Sequence, residues 1–219
     1  LEALHAFYRE AGFNAALGGQ RCPELFAAGK KAGLTVISEA GVLCNGFMVR
    51  GENAPAEDLF RYHPRRDQKR RGICPTLLSA SDRYYADLVA NSKKCLQEAH
   101  HLYENWEPYM FQKRGSVCDR CRKAFQVFAK LSDEEIAALW PDIVIDNKAE
   151  PHNRFFSWQL GAIVKRAQRA VRQAGQELNL PYNPDFVIAF EPHYITPGTA
   201  WYAIHDPREY WGAIDQAVM

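Results

Sequence analysis

The chain has 219 residues, 47% of them apolar and 24% charged, an ordinary globular balance with room for one large domain or two small ones. Lys and Arg number 27 against 26 Asp and Glu, so the net charge of +1 sets up no global field for nucleic acid or an anionic membrane. No apolar run approaches the ~20 residues of a membrane span. The densest basic run, RYHPRRDQKRR (61–71), is broken by Pro64 and Asp67, lacks an aromatic ladder and reads as a solvated loop.

Leu1 in place of Met raises the expectation that an N-terminal segment has been removed, and no cellular compartment is assigned. Residues 1–11 are predicted to form a helix with Leu1, Leu4, Phe7, Tyr8 and Ala11 on one face and Gly12 as its stop. FNAAL (13–17) follows as a short strand, and 23–32 as a helix opened by Pro23 and closed by Gly33. LTVIS (34–38) is a β-branched strand that ends at Glu39. From there to about residue 71 runs a Gly-, Pro- and charge-rich connection, far longer than the usual ~2–6 residues, and such loops are usually functional.

GICPTLL (72–78) reads as an extended segment. Residues 82–99 read as a helix with Tyr85, Leu88, Val89, Leu96 and Ala99 on one face, and HLYENW (101–106) as a strand. Ser132 and Glu135 fit a capping box before a short helix that ends near Trp140, and DIVID (142–146) suggests a short strand. The strongest periodicity lies over 154–174, with Gly175 as the expected cap; FVIAF (186–190) is a strand and 207–217 a helix.

Alternating helices and short apolar strands imply parallel strands covered on both faces by crossover helices. No repeat, low-complexity tract or linker divides the chain, so residues 1–219 are expected to form one α/β domain. LGGQR (17–21) lacks the spacing of a dinucleotide fingerprint and no phosphate-binding P-loop exists, which removes the main support for nucleotide binding. Three strands end on a carboxylate: Glu39, Glu107 and Glu191. The last two are each followed by Pro and a ring-bearing residue (EPY, EPH). In a parallel barrel all strands open on one face, and proline removes a ladder donor where the strand turns into its loop. Carboxylates at strand ends would then converge on one cleft.

YENWEPYMF (103–111), followed by RGSVCDRCRKAF (114–125), resembles the fourth-strand region of (β/α)8-barrel glycoside hydrolases of the large retaining superfamily. There an Asn-Glu-Pro at the end of the fourth strand supplies the acid/base glutamate, and several members carry a C-x-x-C…F pattern just beyond. The likeness covers about residues 1–130 in order of elements, with its specificity in the WEP-to-CDRC stretch. Trp106 stands between Asn105 and Glu107, where the superfamily has Asn directly before Glu. The resemblance implies a parallel TIM-barrel-like α/β fold and cleavage of a glycosidic bond in a carbohydrate by carboxylate acid/base catalysis. With LYENW as fourth strand, FNAAL is second, LTVIS third and FVIAF fifth or sixth. The expectation is an incomplete barrel that lacks the first strand and the last strands, including the seventh, which holds the superfamily's nucleophile.

Glycoside hydrolysis needs one protonated and one ionised carboxyl group. Glu107, among Trp106, Pro108 and Tyr109, has the apolar neighbours that raise a glutamate pKa and is assigned general acid/base. Glu191 is the second carboxylate, as nucleophile or substrate anchor, and Glu39 the third. Trp106, Tyr109 and Tyr194 offer sugar-stacking faces, His193 a hydroxyl partner, and Asn105 the position that holds the sugar's 2-hydroxyl in the superfamily. Asn14 and Arg154 are further positions to inspect. Two other readings remain: a metal-dependent barrel hydrolase with Glu39, Glu107, Glu191 and His193 as ligands, and a non-catalytic carbohydrate-binding barrel.

The six cysteines, at 22, 44, 74, 95, 118 and 121, are too scattered for a disulfide scaffold, and most read as buried thiols. Cys118-Asp-Arg-Cys121 is half of a structural zinc site, and Cys44, Cys74 and His63 are the candidates to complete it. Free thiols and a disulfide are the competing readings. No other cofactor is expected.

Overall fold

Glycine and proline punctuate the first half of the chain in the computed structural model, which describes residues 1–18, 22–39, 54–61, 69–106, 116–146, 150–190 and 216–218. Helix α1 (Glu2–Glu10) gives way at Gly12, whose φ of +93° suits only glycine, to strand β1 (Ala15–Gly18). Pro23 sits in the first turn of α2 (Pro23–Lys31), where its missing N–H costs nothing, and strand β2 (Thr35–Glu39) follows. A 3-10 turn (Ala56–Asp58) leads into an antiparallel hairpin, β3 (Leu59–Arg61) and β4 (Lys69–Ile73), inside the long connection. Then come α3 (Pro75–Ala80), α4 (Asp82–Leu96), β5 (His101–Trp106), α5 (Asp119–Ala129), α6 (Asp133–Leu139), α7 (Asp142–Asp146), α8 (Glu150–Glu177), β6 (Phe186–Phe190) and β7 (Gln216–Val218).

Five strands form one sheet in the order β1-β2-β5-β6-β7, and every neighbouring pair is parallel. The parallel α/β reading of the sequence therefore holds. Alternate residues Val36, Leu102 and Phe186 point into the helical layer and are almost fully buried, Val36 beside Phe26 of α2 and the other two beside α4 and α8. Helix α8 is the keel of that layer. Leu160, Ile163, Val164, Ala167, Ala170, Val171 and Ala174 keep helical spacing and pack with Leu88, Val89 and Leu96 of α4. Each large apolar side chain buried there contributes about 1.5–3 kcal/mol. Where α8 begins, Phe155 joins Phe125, Ile136, Ile143 and Val144 in a second cluster.

The structure corrects several local expectations. DIVID is helix α7 rather than a strand, because one helical turn drives Ile143 and Val144 into the aromatic cluster beneath α5 and α8. GICPTLL divides at Cys74: Ile73 ends β4, and Pro75 opens α3 from its first turn. The 154–174 helix extends from Glu150 to Glu177, so Gly175 is no cap; a Cβ there would lie 2.6 Å from Cδ of Pro184. The turn comes instead at Asn179 (φ 54°), after which the Leu180 N–H returns to the Gly175 carbonyl at 3.0 Å. Residues 207–215 of the last expected helix lie outside the described residues, and 216–218 form a strand.

Helix α1 forms, yet its apolar face finds no core among the described residues: Leu1 is 63% and Phe7 61% exposed. His5 is the residue it buries, over Gly29 of α2. The capping box stands as read, with Ser132 Oγ accepting from the Glu135 N–H and the Glu135 carboxylate from the Ser132 N–H. Helix α5 was not anticipated at all.

Candidate active site

Parallel strands share one C-terminal edge, formed here by Gly18, Glu39, Trp106, Phe190 and Val218. In α/β barrels this edge carries the chemistry. The segments that follow it, 19–21, 40–53, 107–115 and 191–215, lie outside the described residues, and with them Glu107, Tyr109, Glu191, His193 and Tyr194. Asn105 and Trp106 are described through their backbone: Asn105 pairs with Ala189 and Trp106 with Phe190, the closing rung of the β5–β6 ladder. The next residue in sequence on those two strands is Glu107 and Glu191 respectively.

Glu39 is the proposed site carboxylate whose side chain is described. It ends β2 opposite Tyr103 of β5, half-buried, and the loss of water around it pushes its carboxyl pKa upward. A group in that setting holds a proton more readily than an exposed glutamate. Of the ligand set Glu39, Glu107, Glu191 and His193 drawn for a metal-dependent hydrolase, Glu39 is likewise the one member within the described residues.

The opposite edge is built differently. Asn14, Thr35, His101, Asp185 and Val187 line a depression at the strand N-termini. Nδ1 of His101 accepts the Asp185 N–H at 2.9 Å, and Nδ1 of His100 accepts the Val36 N–H at 2.9 Å. These rings terminate backbone ladders as neutral imidazoles, and burial lowers the His100 pKa further. The 3.7 Å approach of His101 Nδ1 to the Asp185 carboxylate is therefore no ion pair. Asn14 thus belongs to the edge away from the expected chemistry, and Arg154 is exposed on α8.

Three cysteines meet where α3 and α5 begin. Cys118 is the N-cap of α5, Cys121 lies one turn into that helix, and Cys74 is the N-cap of α3. The Cys74 sulfur is 3.4 Å from each of the other two, and all three side chains are buried. Of the three candidates to join Cys118 and Cys121, Cys74 is present; Cys44 and His63 lie outside the described residues. Donors surround the sulfurs. The Thr76 hydroxyl accepts from Gln159 Nε2 at 2.9 Å, which leaves its own proton for Cys121 Sγ at 3.1 Å. Ser116 and the Cys121 N–H donate to Cys118, and the Leu77 N–H and Arg120 to Cys74. The thiols of Cys121 and Cys74 hold the Cys118 thiol far below the usual range, and their bonds to Cys118 push both of their own pKa values up. Sequence reasoning missed Thr76, Ser116, Arg120 and Gln159. Its available signal was the pair of helix openings, C-P-T and C-D-R-C.

No family model matches the chain, and no curated protein matches it by sequence. Among solved structures, the catalytic domain of the β-amylase from Paenibacillus polymyxa is similar, with a TM-score of 0.57 at 11% identity over 98% of this chain and 71% of that one. Likeness at this identity speaks to fold: the chain has a partial TIM-barrel-like α/β architecture, and its neighbour is a glycoside hydrolase domain.

Proposed function

We propose that the chain carries the active site of a glycosidase, with Glu107 as general acid/base and Glu191 as its partner carboxylate. The observation behind this reading is the shared end of β5 and β6, where the last paired residues, Trp106 and Phe190, each immediately precede a Glu-Pro. Paired strands lie about 4.8 Å apart and one residue advances the chain by about 3.8 Å. Residues one step beyond a paired rung are within reach of about 12 Å, α-carbon to α-carbon, by connectivity alone. Glutamate side chains bridge such a gap to the ~5–9.5 Å between carboxyl groups that glycosidases use. Glu39 ends the strand beside β5, half-buried, and serves in substrate binding together with Asn105, Trp106, Tyr109 and His193. The architecture of the β-amylase domain agrees with a carbohydrate substrate.

The test is turnover of α- and β-linked nitrophenyl glycosides and of amylose, by the wild type and by Glu107→Gln and Glu191→Gln. Loss of a general acid lowers the rate by about 10²–10⁴. Glu107→Gln should show that loss on amylose and on poor leaving groups. It should show far less on dinitrophenyl glycosides, which depart without a proton, and sugar binding should persist. Wild-type activity in Glu107→Gln on every substrate would sink the assignment. Binding without turnover in the wild type would point to a carbohydrate-binding barrel.

A further inference from the structure

We propose that Cys74, Cys118 and Cys121 bind one zinc ion, which clips the long β2–α3 connection to the start of α5. The geometry is close to that of an occupied site. Tetrahedral zinc with Zn–S bonds of about 2.3 Å sets its sulfurs about 3.8 Å apart. The Cys74 sulfur stands 3.4 Å from each partner, and all three sulfurs lie within 4.8 Å of one another. Lengthening the two contacts of Cys74 by about 0.4 Å brings them to the spacing around the metal. A disulfide, with S–S near 2.05 Å, requires a larger inward one and leaves the third thiol stranded.

Polar groups surround the sulfurs. Each sulfur has one beside it: the Thr76 hydroxyl at Cys121, the Ser116 hydroxyl at Cys118 and the Arg120 guanidinium at Cys74. The Gln159–Thr76–Cys121 relay is the most specific, because the amide donates to the hydroxyl oxygen and leaves the hydroxyl proton available to the sulfur. Gln159 lies on α8 and is 1% exposed, so a buried polar residue from the central helix is committed to orienting one sulfur. Soft, anionic sulfurs favour zinc over magnesium or calcium.

The clip also joins two particular parts of the chain. Cys74 ends the connection that leaves β2 after Glu39, and Cys118 ends the one that leaves β5 after Trp106. Those strands are neighbours, so the metal ties together the far ends of two adjacent connections from the C-terminal edge. Arg120, paired with Asp58 at 3.3 Å and bonded to the Glu57 carbonyl, makes a second tie between the same segments.

The experiment is metal analysis of the full chain purified under reducing conditions, followed by replacement with cobalt. The expected result is one zinc per chain. The cobalt form should show a near-ultraviolet thiolate charge-transfer band of an intensity for at least three sulfurs. Thr76→Val, which keeps shape and removes the hydroxyl, should weaken zinc binding about 10- to 100-fold, and Cys22→Ser should leave it unchanged. Folded wild type without metal that takes up no cobalt, or that contains a disulfide among these residues, would overturn the proposal. That readout needs no cysteine variant to fold.

Discussion

His152 should make this protein acid-sensitive. The ring lies 2% exposed on the first turns of α8, in contact with Phe125, Trp140 and Phe155 at centroid distances of 5.5–6.4 Å. Its Nδ1 has no hydrogen-bond partner, and burial lowers its pKa from 6.5 to about 4. Between those values the unfolded chain takes a proton that the folded chain refuses, so stability is full above pH 6.5 and falls as pH drops toward 4. At about 1.4 kcal/mol per pKa unit, the loss is about 2 kcal/mol at pH 5 and about 3 kcal/mol below pH 4. Against a typical 5–15 kcal/mol, that is a large share. The assay is urea unfolding of wild type and His152→Phe at pH 7, 6, 5 and 4, with the two proteins compared at each pH. Constant differences in packing cancel in the slope, as do all other titrating groups. The stability of the wild type should fall relative to the variant by about 3 kcal/mol over the series. Parallel curves would refute the reasoning.

Gly175→Ala would normally gain about 1 kcal/mol in a helix. Here the new methyl meets the Pro184 ring at 2.6–2.7 Å, so a net loss of about 1–2 kcal/mol is expected, and a raised urea midpoint would contradict the contact. Glu39 has a raised pKa, so the folded state keeps its proton longer than the unfolded one, and stability falls as pH rises through the window just above 4.5. Glu39→Gln should therefore raise the melting temperature at pH 7 but not at pH 4, while substrate KM worsens. An equal shift at both pH values would rule out burial of charge as the cause.

Strands β5 and β6 were legible to the residue because each stops abruptly at a Glu-Pro, and α2 to within one residue because Pro23 and Gly33 bracket it. DIVID misled because its β-branched pattern is local, whereas its conformation is set by a core assembled from Phe125 and Phe155, distant in sequence. Gly175 misled for a related reason: glycine near a helix end resembles a cap, and only Pro184 reveals that the need is for space. At the candidate site, the order of strand and carboxylate is written in the covalent chain, so Glu39 at the end of β2 could be foreseen. Which cysteine would meet Cys118 and Cys121 could not, since Cys74 lies 44 residues before Cys118 and arrives through tertiary packing.

The keel helix also has a consequence for the time course of folding. The bond from the Asp185 N–H to His101, at the start of the β5–β6 ladder, spans 84 residues, and closing a loop of that size costs about 4 kcal/mol in chain entropy. Parallel docking of α8 alongside α4, held by Tyr85 against Gln173 and Arg166 against the Ser81 carbonyl, keeps those distant ends close to each other. Residues such as Ile163 and Val171 are therefore expected to set how fast the chain reaches its native topology, as the change in refolding rate on Ile163→Val and Val171→Ala would show. Substitutions at Phe186 and Val187 are expected to change mainly the unfolding rate, and so how long the finished sheet persists.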